Sequence, residues 1–346
     1  MITRVEITNL RGLASGCVEG LGRLAILLGA NGAGKSTVLD AMVIGAGAKP
    51  ASAVGFVVRR RAGLNYGARW LFHRGGFAGP NDAKIVIDLA DGKRRSTTLK
   101  LIEGAPHPEL RRRLVERGVP GVYRSVDLEL RIEDHGALSG GGDALTFGKD
   151  NTFTATDEEE PLPAPIWLID PDPRISPGLH KLFSRISERG QRLAVRDLLR
   201  PLIPGLDILE LAVDEDDGRL NLAFPDRSIP VALAGEGIHA LVRLALEIAT
   251  SPAETLLIEE PEAHAHPAAV RQIARAIVQG VRNGKQTVLT SHSLEMIDAL
   301  LDALQEDELG WLTVHGMRLD EGRLHVARTE GPAVLLSRDV LGEDLR

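Results

Sequence analysis

Cysteine is nearly absent from this 346-residue chain, with Cys17 the only one. A single thiol excludes an intramolecular disulfide framework and any zinc site built from several thiolates, and it fits a reducing compartment. Aromatic residues make up only 3%, so the core has to be packed mainly from Leu, Val, Ile and Ala. No run of about 20 apolar residues is present to span a bilayer. The opening "MITRVEITNLRG" has no basic-then-apolar leader layout. The expectation is a cytoplasmic protein with no membrane partner. Excess positive charge is missing as well. With 41 basic and 48 acidic residues the net charge is −7, which argues against a chain that coats nucleic acid without specificity and leaves only local basic patches. Internal repeats and long heptad runs are also lacking, so an extended coiled-coil arm is not expected.

What is present is 43% hydrophobic residues, enough for a sizeable core in about one to three domains. "ITRVEITNL" alternates as a strand does, and "RLAILLGA" is a continuous apolar run that stops at glycine, as a buried strand would. The pattern turns helical over "STVLDAMVIGA". "KIVIDLADGKRRSTTLKL" reads as a hairpin turning at Asp91-Gly92, and "LDILELAVDEDDGRLNLAF" as another turning at Asp217-Gly218. "VDLELRI" and "APIWLID" are further strands. Residues 139–165 read as an exposed loop rich in Gly, Pro and acid, and "LHKLFSRISERGQRLAVRDLLRPLI" as mostly helix. A helix over 237–250, the strand "TLLIE", a helix over 267–283, the strand "QTVLTSH" and a last hairpin, "WLTVHGMRLDEGRLHVART", follow. Strands alternating with helices argue for an α/β core with a largely parallel sheet.

"GANGAGKST" matches G-x-x-x-x-G-K-[ST] between an expected strand and an expected helix, the context that motif requires. Gly29, Gly32 and Gly34, with Asn31 and Ala33 between them, let backbone N–H groups approach a phosphate closely. Lys35 reaches the outer phosphates, and Ser36, followed by Thr37, offers a hydroxyl to Mg²⁺. A phosphate loop of this kind works with a second strand that ends in an acid. "TLLIEE" supplies it, with Glu259 at the Mg²⁺ through water and Glu260 as the general base for the attacking water. His292, ending "QTVLTSH", is placed to contact the γ-phosphate or the water. The bland alternatives are a glycine-rich turn, an exposed acid pair and a strand-end histidine. Chain order disfavours each.

Ala234, Gly235, Glu236 and Gly237 head an apolar helix whose free N–H groups make an anion site, or merely a capped helix start. With this fourth element the chain resembles ABC-type ATPases of the SMC/RecF-like branch, and within them the overcoming-lysogenization-defect (OLD) type, without a Toprim domain. "VEITNLRG" is similar to that branch's first strand and turn, residues 29–37 to its Walker A, 234–237 to its signature, 255–260 to its Walker B, 261–267 to its D-loop and 291–292 to its H-loop. The resemblance is weak over residues 51–160. It implies one ABC-type ATPase head over 1–346, an α/β P-loop NTPase fold with a mixed, antiparallel β subdomain and a largely parallel core sheet flanked by helices. Residues 1–50 and 229–346 would form the nucleotide-binding core, and 51–228 inserted hairpins, a loop and a helical lobe. It also implies head-to-tail dimerisation with ATP at the interface, Gly235 acting in trans and Arg11 close to the nucleotide. Three departures stand out: Glu259 where Asp is commoner, Ala234 where the signature has serine, and no clear Q-loop glutamine, with Asn65 and His73 as substitutes.

His264 and His266 form no metal site on spacing alone, and "DEDDG" reads as a solvated turn. The "RRR" clusters at 59–61 and 111–113 read as solvated faces, with nucleic-acid phosphate contact as the functional alternative. The expected function is an ATP-binding and ATP-hydrolysing dimeric switch. It would control a partner effector encoded nearby, a nuclease or toxin, or act on DNA, and the resemblance adds a role in bacterial anti-phage defence. Two alternatives stay open: the nucleotide-binding subunit of a membrane transporter, and an ATP-binding module that does not hydrolyse.

Overall fold

The computed structural model describes residues 1–47, 49–61, 63–73, 81–102, 112, 116, 126–134, 137–138, 143–148, 151–155, 166–170, 178–214, 217–263 and 265–338. The strands in chain order are β1 (Ile2–Leu10), β2 (Leu13–Glu19), β3 (Leu24–Leu28), β4 (Asp82–Leu89), β5 (Arg94–Ile102), β6 (Val126–Asp134), β7 (Ala137–Leu138), β8 (Asp143–Phe147), β9 (Phe153–Ala155), β10 (Ile166–Ile169), β11 (Ile208–Asp214), β12 (Asp217–Ala223), β13 (Ser228–Pro230), β14 (Thr255–Glu259), β15 (Gln286–Ser291), β16 (Leu312–Asp320) and β17 (Arg323–Glu330). The helices are α1 (Lys35–Ala46), α2 (Pro50–Arg59), α3 (Leu179–Glu188), α4 (Arg192–Leu199), α5 (Glu236–Thr250), α6 (Pro267–Arg282), α7 (Leu294–Ala303) and α8 (Gly331–Leu336). The chain divides into two compact units, one of Met1–Leu21, Gly29–Ile166 and Met317–Ala327, the other of Gly22–Leu28, Trp167–Gly316 and Arg328–Arg346.

The first unit is built on antiparallel pairing. β1 pairs with β2 on one side and β4 on the other, and β4, β5, β6 and β8 continue as a meander. Alternation sets its faces: Ala83, Ile85 and Ile87 of β4 are buried while Asp82 and Lys84 are exposed. Against this sheet lies α1, buried along nearly its whole length from Val38 to Gly45. Gly45 permits the approach, since a Cβ there would stand 2.7 Å from the side chains of Ile85 and Ile87. The β4–β5 hairpin turns at Asp91-Gly92 as its sequence indicates, with Gly92 at φ 81°.

The second unit holds the parallel strands, in the order β10, β14, β15, β3 and β16. β14, β15 and β3 run parallel to one another, and β16 runs parallel to β3. Every residue of β3, β14 and β15 is buried. That explains why β3 and β14 read as apolar runs rather than alternating ones: both faces are covered. The apolar faces of α5, α6 and α7 supply Leu246, Ile277 and Ile297 to this core. A separate antiparallel sheet, β11–β12–β13, pairs Asp214 with Asp217. Asp217 and Gly218 therefore already lie in the second strand, not in the turn where the sequence suggested them. The long helix expected after residue 178 is two helices, because Gly190 adopts φ 68° and ends the first.

Candidate functional site

β3 delivers the chain directly into the glycine-rich loop, and α1 begins at Lys35. Gly32 and Gly34 sit at φ 83° and 90°, the left-handed region where a Cβ is costly. Gly29 is required for another reason: a Cβ there would stand 2.5 Å from the carbonyl oxygen of Met317. No side chain caps the start of α1. Its first N–H groups are thus left to face an anion, which is the physical requirement for holding a phosphate. The Lys35 ammonium donates to the carbonyls of Gly29, at 2.7 Å, and Ala30, at 3.1 Å. The loop's own backbone holds the cation beside the uncapped start of α1. Asn31 and Gly32 are exposed, Ala33 is buried, and Ser36 and Thr37 are half-buried on the first turn.

Arg11 belongs to the same unit and lies in a left-handed turn at φ 50°, after Asn9 at φ 55°. Its guanidinium is 2.9 Å from Asp40 and donates to the Val57 carbonyl at 3.1 Å. Asp40 is fully buried on α1 and also pairs with Arg60 and, at 3.8 Å, with Arg61. The sequence reading missed this hub. The available signal was a lone acid inside the apolar run "VLDAMVIGA". One consequence is that the cluster at 59–61 is not a free basic face, because Arg60 is buried on Asp40 and Arg59 lies over the Phe153 ring. In the second cluster, Arg112 pairs with Glu116 on the surface, and residues 111 and 113 lie outside the described ones. His73 Nδ1 stands 3.1 Å from the Arg11 carbonyl oxygen, while Asn65 is exposed.

In the second unit, β14 ends in Glu259 and the next residue, Glu260, takes φ 42°. A non-glycine residue held left-handed carries strain that the surroundings must offset. Here the Glu260 N–H donates to Thr290 Oγ1 at 3.0 Å, which ties the turn to β15. The Glu260 carboxylate is 3.6 Å from His292 Nδ1, so the structure brings these two expected catalytic groups together. Gly235, at φ 88°, and Glu236 start α5 with no side-chain cap. They line one cavity of about 410 Å³ with Glu259, Glu260, Asp170 and Arg243. Arg243 is held 3.6 Å from Glu247, which accepts the Trp167 indole N–H at 3.1 Å. Burial, with Arg243 beside it, lowers the pKa of His239 on the same helix.

Two further residues were not anticipated. The Glu262 side chain is 7% exposed and turns back onto the end of β15, accepting from Ser291 and from the His292 N–H. His266 is the cap of α6, its Nδ1 accepting from the Ala268 N–H ahead of Pro267. That accounts for the histidine without a metal, and His264 lies outside the described residues. "DEDDG" also falls partly outside them.

Each unit carries donors of the kind a magnesium nucleotide uses. Among the described residues no three His, Cys, Asp or Glu side chains gather as a metal cage. Mg²⁺ does not need one, since it is held by one or two protein groups with phosphate and water completing the shell. Ser36 and Glu259 are of the right donor type.

A family described as "AAA domain, putative AbiEii toxin, Type IV TA system" matches residues 24–298. Two solved structures share the fold. One, an SMC head bound to the C-winged helix domain of ScpA, aligns with TM-score 0.54 at 17% identity over 95% of this chain and 98% of that one. The other is an Smc head with an extended coiled coil bound to the C-terminal domain of ScpA, derived from Pyrococcus furiosus. It aligns with TM-score 0.51 at 14% identity over 99% of both chains. No curated protein matches the chain. The likeness confirms an α/β fold with a large mixed sheet and flanking helices, and among the described residues no helix is long and apolar enough to cross a membrane.

Proposed function

The chain belongs to the AAA family of that description, and on this premise we propose that it is an ATP-hydrolysing switch whose two copies close on ATP and control a partner. The observation that carries the reading is Glu260, a carboxylate on a strained left-handed residue at a strand end with an imidazole nitrogen 3.6 Å away. Strain of this kind persists at sites that need a side chain aimed in one direction.

In the proposed mechanism, the free N–H groups at the start of α1 and the Lys35 ammonium bind the β- and γ-phosphates. Ser36 of the first unit and Glu259 of the second are the residues that would each offer Mg²⁺ an oxygen, and the ion would neutralise charge on the transferring phosphoryl group. Glu260 takes the proton of the attacking water, and His292 orients that water or the γ-phosphate. Gly235 offers backbone N–H groups at the start of α5 to the γ-phosphate of a second copy. Glu236 is exposed in the first turn of the same helix. Its carboxylate uses the dipole that a phosphate would use, so the phosphate must share this helix start with a like charge. Leu233, 76% exposed just ahead of Gly235, adds an apolar contact to a surface that two copies would cover.

The partner in this reading is an effector, a nuclease or toxin encoded nearby, and the family description supports a toxin–antitoxin setting. DNA is a second candidate ligand, and anti-phage defence, the OLD-type subclass and a cytoplasmic location belong to the same proposal. The test is Glu260→Gln. It is expected to lower ATP turnover about 10²–10³-fold while ATP binding persists and ATP-bound dimers accumulate in light scattering. Turnover at the wild-type rate would remove Glu260 from the role of base.

A further inference from the structure

We propose that Glu262 is a positioning residue for hydrolysis, fixing the end of β15 so that the His292 imidazole faces Glu260. The inference rests on the hydrolytic reading above and adds a residue to it. One oxygen, Oε1, does the holding. It accepts the Ser291 hydroxyl at 2.6 Å and the His292 N–H at 3.3 Å, and it lies 3.8 Å from His292 Nδ1. The Ser291 hydroxyl donates to Glu262, with a longer contact to the Ser293 carbonyl oxygen at 3.3 Å, and it accepts the Ser293 N–H at 3.0 Å. Ser293 in turn caps α7 by accepting the Met296 N–H. The run from Glu262 through Ser291 and Ser293 into α7 fixes the backbone on both sides of His292 and leaves its ring 48% exposed.

The second oxygen carries a cost that the hydrogen bonds of the first must offset. Oε2 of Glu262 is buried and has no hydrogen-bond partner. A buried carboxylate oxygen left bare costs free energy, and each such group in a native structure calls for a reason. A glutamine would offer the same accepting oxygen to Ser291 and His292 without a second bare anionic one. The left-handed turn at Glu260 supplies the reason for the acid's location. It reverses the chain after β14 so that Glu260 and Glu262, two residues apart, both come within 4 Å of one imidazole nitrogen.

The experiment measures ATP turnover and amide hydrogen exchange over residues 290–294 in wild type, Glu262→Ala, Glu262→Gln and Glu262→Asp, the first also in a His292→Ala background. Glu262→Ala is expected to lower kcat about tenfold with KM for ATP changed less than about twofold, and to speed exchange at His292 and Ser293. Glu262→Gln retains an accepting oxygen and keeps kcat within about threefold. With His292 already removed, Glu262→Ala should change kcat no further, because both act through one imidazole. If Glu262→Ala does not fold, Glu262→Asp, whose oxygen is withdrawn by one methylene, stands in for it with the same expected losses. Unchanged kcat and exchange in the folded variants, or an equal kcat loss in the His292→Ala background, overturns the proposal. If the wild type itself shows no turnover, the hydrolytic reading fails, and exchange alone then decides whether Glu262 holds His292.

Discussion

The loop that starts α1 and the acid end of β14 are made of different material. The loop is backbone. Two glycines take left-handed φ, a third allows a close approach, and the Lys35 ammonium is held by main-chain carbonyls. The acid end is side chain upon side chain, with Glu262 on Ser291, Glu260 near His292 and Glu247 on Trp167 and Arg243. A backbone site is specified by a few adjacent residues. A side-chain site is specified by residues that the fold brings together, and it tolerates a change at any of them less predictably.

Three changes would test this contrast. Asp40→Ala has the largest expected effect, because it leaves buried Arg60 without its carboxylate. Breaking a buried ion cluster from one side costs about 3–5 kcal/mol, which denaturant titration would register. If the loop is a self-sufficient backbone device, nucleotide affinity in the folded fraction should change little. A parallel collapse of affinity would show that the loop also depends on side chains. The second unit's reliance on side chains is sharpened by His315. It is fully buried on β16 opposite Leu27, with Nδ1 unpartnered, and burial, helped by Arg328, lowers its pKa to about 4. A folded pKa below the unfolded value near 6.5 means that the unfolded chain binds the proton first. Stability is therefore expected to fall as pH drops from 6.5 toward 4, by up to about 3 kcal/mol. His315→Gln should flatten that slope in melting curves, and an unchanged slope would exclude the residue as its source. The smallest effect belongs to Gly34→Ala. The left-handed φ costs about 1–2 kcal/mol for a residue with a Cβ, and the new carbon meets Leu13 at 3.1 Å. Calorimetry and ATP titration together should show a modest loss of stability and a clear loss of affinity.

The same contrast explains what could be read in advance. The apolar strands β3 and β14, the Asp91-Gly92 turn and the glycine loop all announce themselves locally, through burial on both faces or a positive φ. The turn expected at Asp217-Gly218 was misplaced because the ladder between the two strands runs on to pair Asp214 with Asp217, against the weak strand preference of Asp and Gly. Asp40 and Glu262 were not legible as site residues. Their meaning lies in Arg60 and Ser291, 20 and 29 residues away in sequence, and nothing in the neighbouring letters encodes that pairing. Arg11 was expected near the nucleotide only through the resemblance, and its engagement with Asp40 and Val57 came only from the fold.

Glu260 is also a place where folding and chemistry ask for different amino acids. Its left-handed backbone suits glycine or asparagine, while a general base requires a carboxylate. A redesign of this chain for thermal robustness alone, or a consensus drawn under stability selection, would be pulled toward Gly or Asn at that position and would discard the proposed base in the process. Position 260 should therefore be held fixed in any such library until the proposed base has been tested.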